Sequence, residues 1–344
     1  MVRAPQSIEE LDEIASKPSE AVIEALSGIE GPIVVAGAGG KMGFHLCRML
    51  RRGFDHLNMS NEIVGISRFG DAATRSLFDK QGITTLSADL TNPVSYNDLP
   101  EASAVFFLAG RKFGTSDSPE TLQLFNEEMP SMVAERYADS DIVALSTGCV
   151  YSFVTPESGG SVETDPTDPV GDYAQSCLGR ERAFIHASEK HGTALSLIRL
   201  NYSVDLRYGV LVDLASKVFA GEEVDVTMGY LNCIWQGDAT EHIIQALAET
   251  RPAPTPFILN VTGSRLLKIR ELALWFSRRF DRRVTLTGLE AETAWLNNAE
   301  KSHRLFGAPG IAEDALMEWV AQWIENDRPL LGKPTHFEVR DGKY

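Results

Sequence analysis

Three glycines spaced by three, Gly37, Gly40 and Gly43, punctuate the run Gly37-Ala38-Gly39-Gly40-Lys41-Met42-Gly43. The run follows the β-branched stretch Pro32 to Ala36 and opens an amphipathic stretch from Gly43 to Arg52. Strand, glycine loop and helix in that order make a dinucleotide cradle. One glycine turns tightly, one lets a pyrophosphate approach the backbone, and one lets the helix pack on the strand. The helix N-terminus then offers N–H groups and positive dipole to the phosphates. Gly37, Gly39, Gly40, Lys41, Met42 and Gly43 are the expected cradle. The tip of the next strand, Glu62 to Ile66, selects the dinucleotide. NAD binders place an acid there for the ribose hydroxyls, but this chain has Ser67 and Arg68, a donor and a cation suited to a 2′-phosphate. NADP is therefore the expected cofactor, with NAD the second choice because Asp71 lies close by. A further basic pair, Arg111-Lys112, follows the apolar strand Ala104 to Ala109. Adjacent cations at a site mouth suit a carboxylate or a phosphate.

These residues need a scaffold, and the rest of the chain predicts one. It has 344 residues, enough for about two domains. Short apolar strands at Pro32 to Ala36, Glu62 to Ile66, Thr84 to Ser87, Ala104 to Ala109, Asp141 to Ser146 and Leu195 to Leu200 alternate with helices. That is the pattern of a parallel sheet covered on both faces, a Rossmann-like doubly wound α/β fold. After Leu200 the alternation weakens, which implies a smaller, interleaved C-terminal substrate domain. The expected division is residues 31–200 plus about 233–262 for the dinucleotide domain, and about 201–232 plus 263–344 for the substrate domain. Residues 1–30 read as a helical extension packed on the main domain, with a capping box at Ser7-Ile8-Glu9-Glu10 and a second cap at Ser19.

Composition narrows the function classes. The formal net charge is −16, and no dense Lys/Arg run appears, so nucleic acid and anionic membrane are poor partners. Cys47, Cys149, Cys177 and Cys233 are widely spaced, which argues for reduced thiols, a cytoplasmic setting and no zinc knuckle. No metal site is expected. The expected partner is a small polar substrate.

Several further segments, in order, resemble the extended short-chain dehydrogenase/reductase superfamily, the NAD(P)-dependent sugar epimerase/dehydratase group. Asp89-Leu90 sits where an Asp-Leu pair touches the adenine. Phe107-Leu108-Ala109-Gly110 resembles the fourth-strand end beneath the cofactor, and Asn126 matches a common helix asparagine. Ser146-Thr147-Gly148-Cys149-Val150-Tyr151 resembles the fifth-strand motif. Tyr173-Ala174-Gln175-Ser176-Cys177-Leu178-Gly179-Arg180-Glu181 resembles Tyr-x-x-Ser-Lys-x-x-Gly-Glu, with Cys177 in the lysine's place. Arg199-Leu200-Asn201 and Asn260-Val261-Thr262-Gly263 resemble two later segments. The resemblance implies that Tyr173 is the general acid/base and that Thr147 bonds the same substrate oxygen. Dimers are common in that group, so a homodimer is the implied assembly.

The resemblance also implies a lysine that holds the nicotinamide ribose and lowers the tyrosine pKa, and Cys177 cannot do either. Three explanations stand: a cation from Arg111, Lys112 or Arg180, a mainly reductive direction that uses protonated tyrosine, or loss of catalysis. No Lys or Arg lies between Lys217 and Arg251, where nucleotide-sugar members carry a diphosphate-gripping arginine. Asn201 is followed by Tyr202-Ser203-Val204, not by Tyr-Gly-Pro, and Gly148-Cys149 replaces the Asp-Glu pair of 4,6-dehydratases. The expectation is thus an NAD(P)-dependent oxidoreductase on a sugar-like or sugar-acid alcohol or ketone, not a nucleotide sugar. Arg111, Lys112, Asn201, Arg207, Trp235 and Gln236 are its expected substrate contacts. An epimerase that retains its cofactor and a non-catalytic dinucleotide sensor are the alternatives. The segment Pro334 to Gly342 reads equally as a cover over the pocket, part of a subunit interface or an ordinary tail.

Overall fold

The computed structural model describes residues 3–112 and 118–342. Seven strands form one parallel sheet: β1 (Ile33–Ala36), β2 (Ile63–Ser67), β3 (Thr84–Ser87), β4 (Ala104–Phe107), β5 (Asp141–Thr147), β6 (Leu195–Leu200) and β7 (Phe257–Val261). Their spatial order is β7-β6-β5-β4-β1-β2-β3. The chain runs outward from β1 in one direction and restarts at β4 in the other. The crevice beyond the C-terminal ends of β1 and β4 is therefore the topological switch point, where open α/β sheets bind ligands.

The strands are continuous apolar runs because both faces are buried. Ile33 and Val35 of β1 join one core, and Val34 and Ala36 join the other. Helices α1 (Ile8–Ala15), α2 (Glu20–Leu26), α3 (Gly43–His56), α4 (Ala72–Asp79), α5 (Pro119–Gln123), α6 (Met129–Arg136) and α7 (Asp172–His191) precede β6. Helices α8 (Val210–Ala220), α9 (Gln236–Gln245), α10 (Ile269–Phe280), α11 (Glu300–Phe306) and α12 (Glu313–Glu325) follow it. On the Ile33 face, α2, α3 and α9 supply Val22, Leu46, Leu50 and Ile243. On the Val34 face, α6 and α7 supply Met129, Val133, Phe184 and Ala187.

A third core belongs to α8, α10 and α12, through Leu211, Leu214, Phe276, Trp319 and Trp323. The N-terminal extension departs from expectation here. Leu11 and Ala15 of α1 enter this third core, whereas Val22 and Leu26 of α2 enter the core on the Ile33 face of the sheet. The extension therefore joins the two lobes. Its caps are as read: Ser7 Oγ accepts from Glu10 N at 3.2 Å, and Ser19 Oγ accepts from Val22 N at 3.4 Å. The expected division also needs a change. Residues 152–163 were placed in the dinucleotide domain, but Val154 bridges Ala294, Ser161 bridges Asn297, and Phe153 stacks on Trp295 at 4.3 Å. That loop packs with the smaller lobe. The strand-like stretch Val224 to Trp235 is three short strands, Glu223–Asp225, Tyr230–Leu231 and Ile234–Trp235.

Candidate functional site

The glycine loop sits on the switch crevice, and each glycine has a steric reason. Gly37 has φ +91°, and a Cβ there would lie 2.6 Å from Ala109 N, at the end of β4. A Cβ on Gly39 would lie 2.6 Å from Ser67 Oγ, at the tip of β2. A Cβ on Gly43 would collide with Ala38 O, so α3 could not close on β1. Met42 precedes α3 and gives its first turn no side-chain cap. The three strand ends that meet here, and the space the glycines keep, fit a dinucleotide.

At the far end of this crevice, Ser67 and Arg68 end β2. The Arg68 guanidinium lies 5.8 Å from the Phe125 ring centroid. Asp71 is committed elsewhere: it caps α4 through Thr74 N at 2.7 Å and Thr74 Oγ1 at 2.8 Å, which holds its carboxyl below the usual range. The residue that kept NAD in play as ribose acceptor is thus a helix cap. Asp89 accepts from Thr91 N and Oγ1, with Leu90 buried beside it.

The near end carries the chemistry. Thr147 ends β5, and its hydroxyl oxygen accepts from Cys149 N at 3.2 Å, so its proton is available to donate. The turn it caps, Gly148–Val150, packs through Val150 on Cys177, with Tyr173 against the same cluster. Tyr173 lies in the first turn of α7 behind Gly171, whose φ of +82° suits glycine. Burial pushes the Tyr173 phenol well above its ordinary value, the Cys177 thiol adds to that, and Arg180 pulls the other way. Cys177 is fully buried and its thiol is pushed up by burial, so it is no thiolate nucleophile.

The candidate cations separate. Arg111 is held by its backbone to Asn126, and its guanidinium lies 5.7 Å from the Phe125 centroid. Lys112 Nζ lies 5.7 Å from the Tyr173 centroid and donates to Thr335 O at 3.4 Å. Burial pulls its pKa down. Arg180 is buried, donating to Leu145 O at 3.0 Å and Asn126 Oδ1 at 2.6 Å. Asn126 lies in a one-turn π-helical segment, Leu124–Glu128, a widening common at functional sites. Counted from Tyr173, the motif's glycine place falls on Arg180, so the segment departs from the motif there as well as at Cys177.

Three expected substrate contacts are otherwise employed. Arg207 is bound by Asp205 at 2.7 Å and faces Asp12 at 3.3 Å, an ion-paired knot between the lobes. Gln236 meets His45 Nδ1 at 2.9 Å, and His45 Nε2 meets Asp12 at 2.7 Å. Gln236 thus ties α9 to the helix behind the glycine loop. Trp235 is core, edge-on to Trp319 at 5.7 Å. All three read as pocket residues only because polar and aromatic side chains near a predicted site look alike in sequence. Asn201 bonds Asn232 at 3.0 Å and lies against Gly148, close behind Thr147.

Sequence reasoning missed Lys41's neighbours. Lys41 Nζ sits 3.1 Å over the Tyr208 ring, and burial, then Lys333 and Lys112, push it down to about 7. Lys333 arrives on the C-terminal segment. That segment crosses the site: Leu331 N donates to Arg207 O at 2.9 Å, Thr335 N to Asp213 at 2.6 Å, and Arg340 Nη2 to Thr293 Oγ1 at 2.9 Å. Its end meets Gly171, where a Cβ would lie 2.6 Å from the Gly342 backbone. Pro334 to Gly342 is thus tied to Asp213, Thr293 and the turn at Gly171. No helix among the described residues is long and apolar enough to cross a membrane.

A parallel switch-point sheet with a glycine cradle and a Tyr-bearing helix beside β5 defines a Rossmann-type protein of the extended short-chain dehydrogenase/reductase architecture. Residues 33–203 match the NAD dependent epimerase/dehydratase family. No curated protein sequence matches the chain. Among solved structures, UDP-glucuronic acid 4-epimerase from Bacillus cereus, in complex with UDP-glucuronic acid and NAD, has TM-score 0.69 and 16% identity, covering 86% of this chain and 99% of that one. UDP-glucose 4-epimerase from Thermus thermophilus, in complex with NAD, has TM-score 0.68 and 16% identity over 86% and 99%. Pal from Bacillus thuringiensis has TM-score 0.70 and 17% identity over 86% and 100%. At this identity the likeness is one of fold. It gives no support to the expectation that nucleotide sugars are excluded, since two of these three are named for UDP sugars.

Proposed function

We propose that this chain is a nicotinamide-dinucleotide oxidoreductase acting on a carbinol or carbonyl of an anionic sugar-type substrate. The observation that carries this reading is the placement of Tyr173 and the turn capped by Thr147 on one cluster at the switch crevice. A bound nicotinamide supplies the hydride acceptor or donor. Thr147 donates a hydrogen bond to the substrate oxygen and fixes it. Tyr173 exchanges the proton of that oxygen as hydride leaves or reaches the same carbon, so carbinol and carbonyl interconvert with atoms and charge balanced. The upward push on the Tyr173 phenol supports the reductive direction, in which it gives its proton to the carbonyl oxygen.

Lys41 and Lys112, with Lys333 beside them, support an anionic group on the substrate. A carboxylate and a diphosphate share that chemistry. Arg68 at the β2 tip, with Asp71 spent on its helix cap, supports NADP as the preferred dinucleotide. The similar solved structures named as 4-epimerases support a second reading, an epimerase that oxidises and re-reduces one carbon.

The test is turnover of free sugar acids, sugar phosphates, UDP-hexoses and UDP-hexuronates, followed by nicotinamide absorbance and by product stereochemistry. Net change in added cofactor marks the oxidoreductase, and inversion without net change marks the epimerase. Tyr173→Phe should lower either activity by about 10²–10⁴-fold, and unchanged turnover would remove Tyr173 from the mechanism.

A further inference from the structure

We infer that Arg180 is the positioning cation of this site, standing in from one helical turn further along α7 for the lysine whose place Cys177 takes. The inference rests on Tyr173 being the acid/base of the proposed reaction.

The motif loses a cation at Cys177 and gains one at Arg180, three residues on and on the same helix face. The gained side chain does not turn to solvent. It is buried, and its guanidinium fills the space beside Gly110 at the end of β4, where any Cβ would collide with it. Gly110 was expected to make room for the cofactor, and it makes room for this guanidinium.

The environment of Arg180 is unusual for a buried charge. Its acceptors, Leu145 O and Asn126 Oδ1, are both neutral, and its Nε has no partner among the described residues. The nearest acid in sequence, Glu181, gives both carboxylate oxygens to Arg199 and one of them also to Ser146. A buried cation without a counter-charge is costly, and a negative charge that appears beside it offsets that cost. The guanidinium and Tyr173 share one hydrogen-bond network: Asn126 accepts from Arg180 at Oδ1 and donates from Nδ2 to Ser176 Oγ at 2.9 Å, and Ser176 donates to Tyr173 O at 2.8 Å. The phenolate left when Tyr173 gives up its proton is such a charge, and the Arg180 charge pulls its ionisation in that direction. Lys112 is the weaker candidate, because burial biases its amine towards the neutral form while a guanidinium stays charged.

The experiment places 3,5-difluorotyrosine at position 173 and follows its ionisation by ¹⁹F NMR in the dinucleotide-bound protein, without substrate. Arg180→Gln should raise the midpoint by about one pH unit or more. Adding Cys177→Lys to that variant should bring it back down, and Arg180→Lys should leave it nearly unmoved. An unmoved midpoint in Arg180→Gln would overturn the inference. If Arg180→Gln alone does not fold, the double variant decides: a midpoint near that of the parent supports a role for charge, and one that stays raised overturns it. Loss of this inference leaves the proposed reaction standing. Unchanged turnover in Tyr173→Phe would instead remove the reaction on which it rests.

Discussion

Two buried arginines flank the catalytic end of the sheet, and they are solvated in opposite ways. On the β6 side, Arg199 donates to both oxygens of Glu181 at 3.0 and 2.8 Å and to Tyr151 Oη at 2.7 Å, and the Tyr151 hydroxyl donates a hydrogen bond to Asn260 Oδ1 at 2.9 Å. Every charge there is balanced, and the network locks α7, β6 and β7 together. On the β4 side, the acceptors of Arg180 among the described residues, Leu145 O and Asn126 Oδ1, are neutral. The difference teaches that burial of a charge does not by itself reveal its purpose. A balanced pair is explained by the fold, whereas an unbalanced cation beside a crevice needs an anion from elsewhere.

The largest test of this contrast is stability. Glu181→Leu or Arg199→Leu alone should cost about 3–5 kcal/mol in urea unfolding, because each leaves a buried charge unpaired, and the double variant should recover most of it. Arg180→Gln should cost only about 1–2 kcal/mol, the weakening of its hydrogen bonds. Equal losses at the two sites would make Arg180 structural. Gly110→Ala sharpens the contrast by displacing the guanidinium while keeping its charge. Overpacking should cost about 1–3 kcal/mol, and the position-173 phenol should ionise later than in the parent.

A smaller effect separates arginine from lysine. Lys41 is also crowded by cations, but its amine can shed a proton and is pushed down to about 7. The folded chain therefore favours neutral Lys41. Stability should rise as pH climbs from about 7 towards the ordinary lysine range and stay flat below it, and Lys41→Met should remove that slope. Anion binding reverses the preference, so dinucleotide affinity should fall several-fold as pH rises past 7, again less in Lys41→Met. Calorimetry across pH measures both.

The sheet was largely legible because strands buried on both faces are continuous apolar runs, as in Ile33–Ala36 and Ala104–Phe107. The glycine loop was legible because backbone approach excludes side chains, and a missing side chain is visible in sequence. The attachment of α1 to the smaller lobe was not, since an apolar stripe fixes a helix but not its partner. The partners of Arg207, Gln236 and Trp235 were not legible for a related reason. Their types advertise binding, while their actual partners, Asp12, His45 and Trp319, lie far away in sequence. Arg180 was visible only as one of three cations. What distinguishes it is that its hydrogen-bond acceptors among the described residues are neutral, which the linear sequence hides because Glu181 stands next to it.

All of these contrasts depend on one claim, that the crevice holds a nicotinamide dinucleotide. Calorimetric titration of nucleotide-stripped protein with NADP(H) and NAD(H) tests it directly. The expected result is saturable binding at one site per chain, tighter for NADP(H), with Arg68→Ala erasing the preference and leaving NAD(H) affinity intact. Binding of none of the four nucleotides would contradict it, and with it the role given to Tyr173.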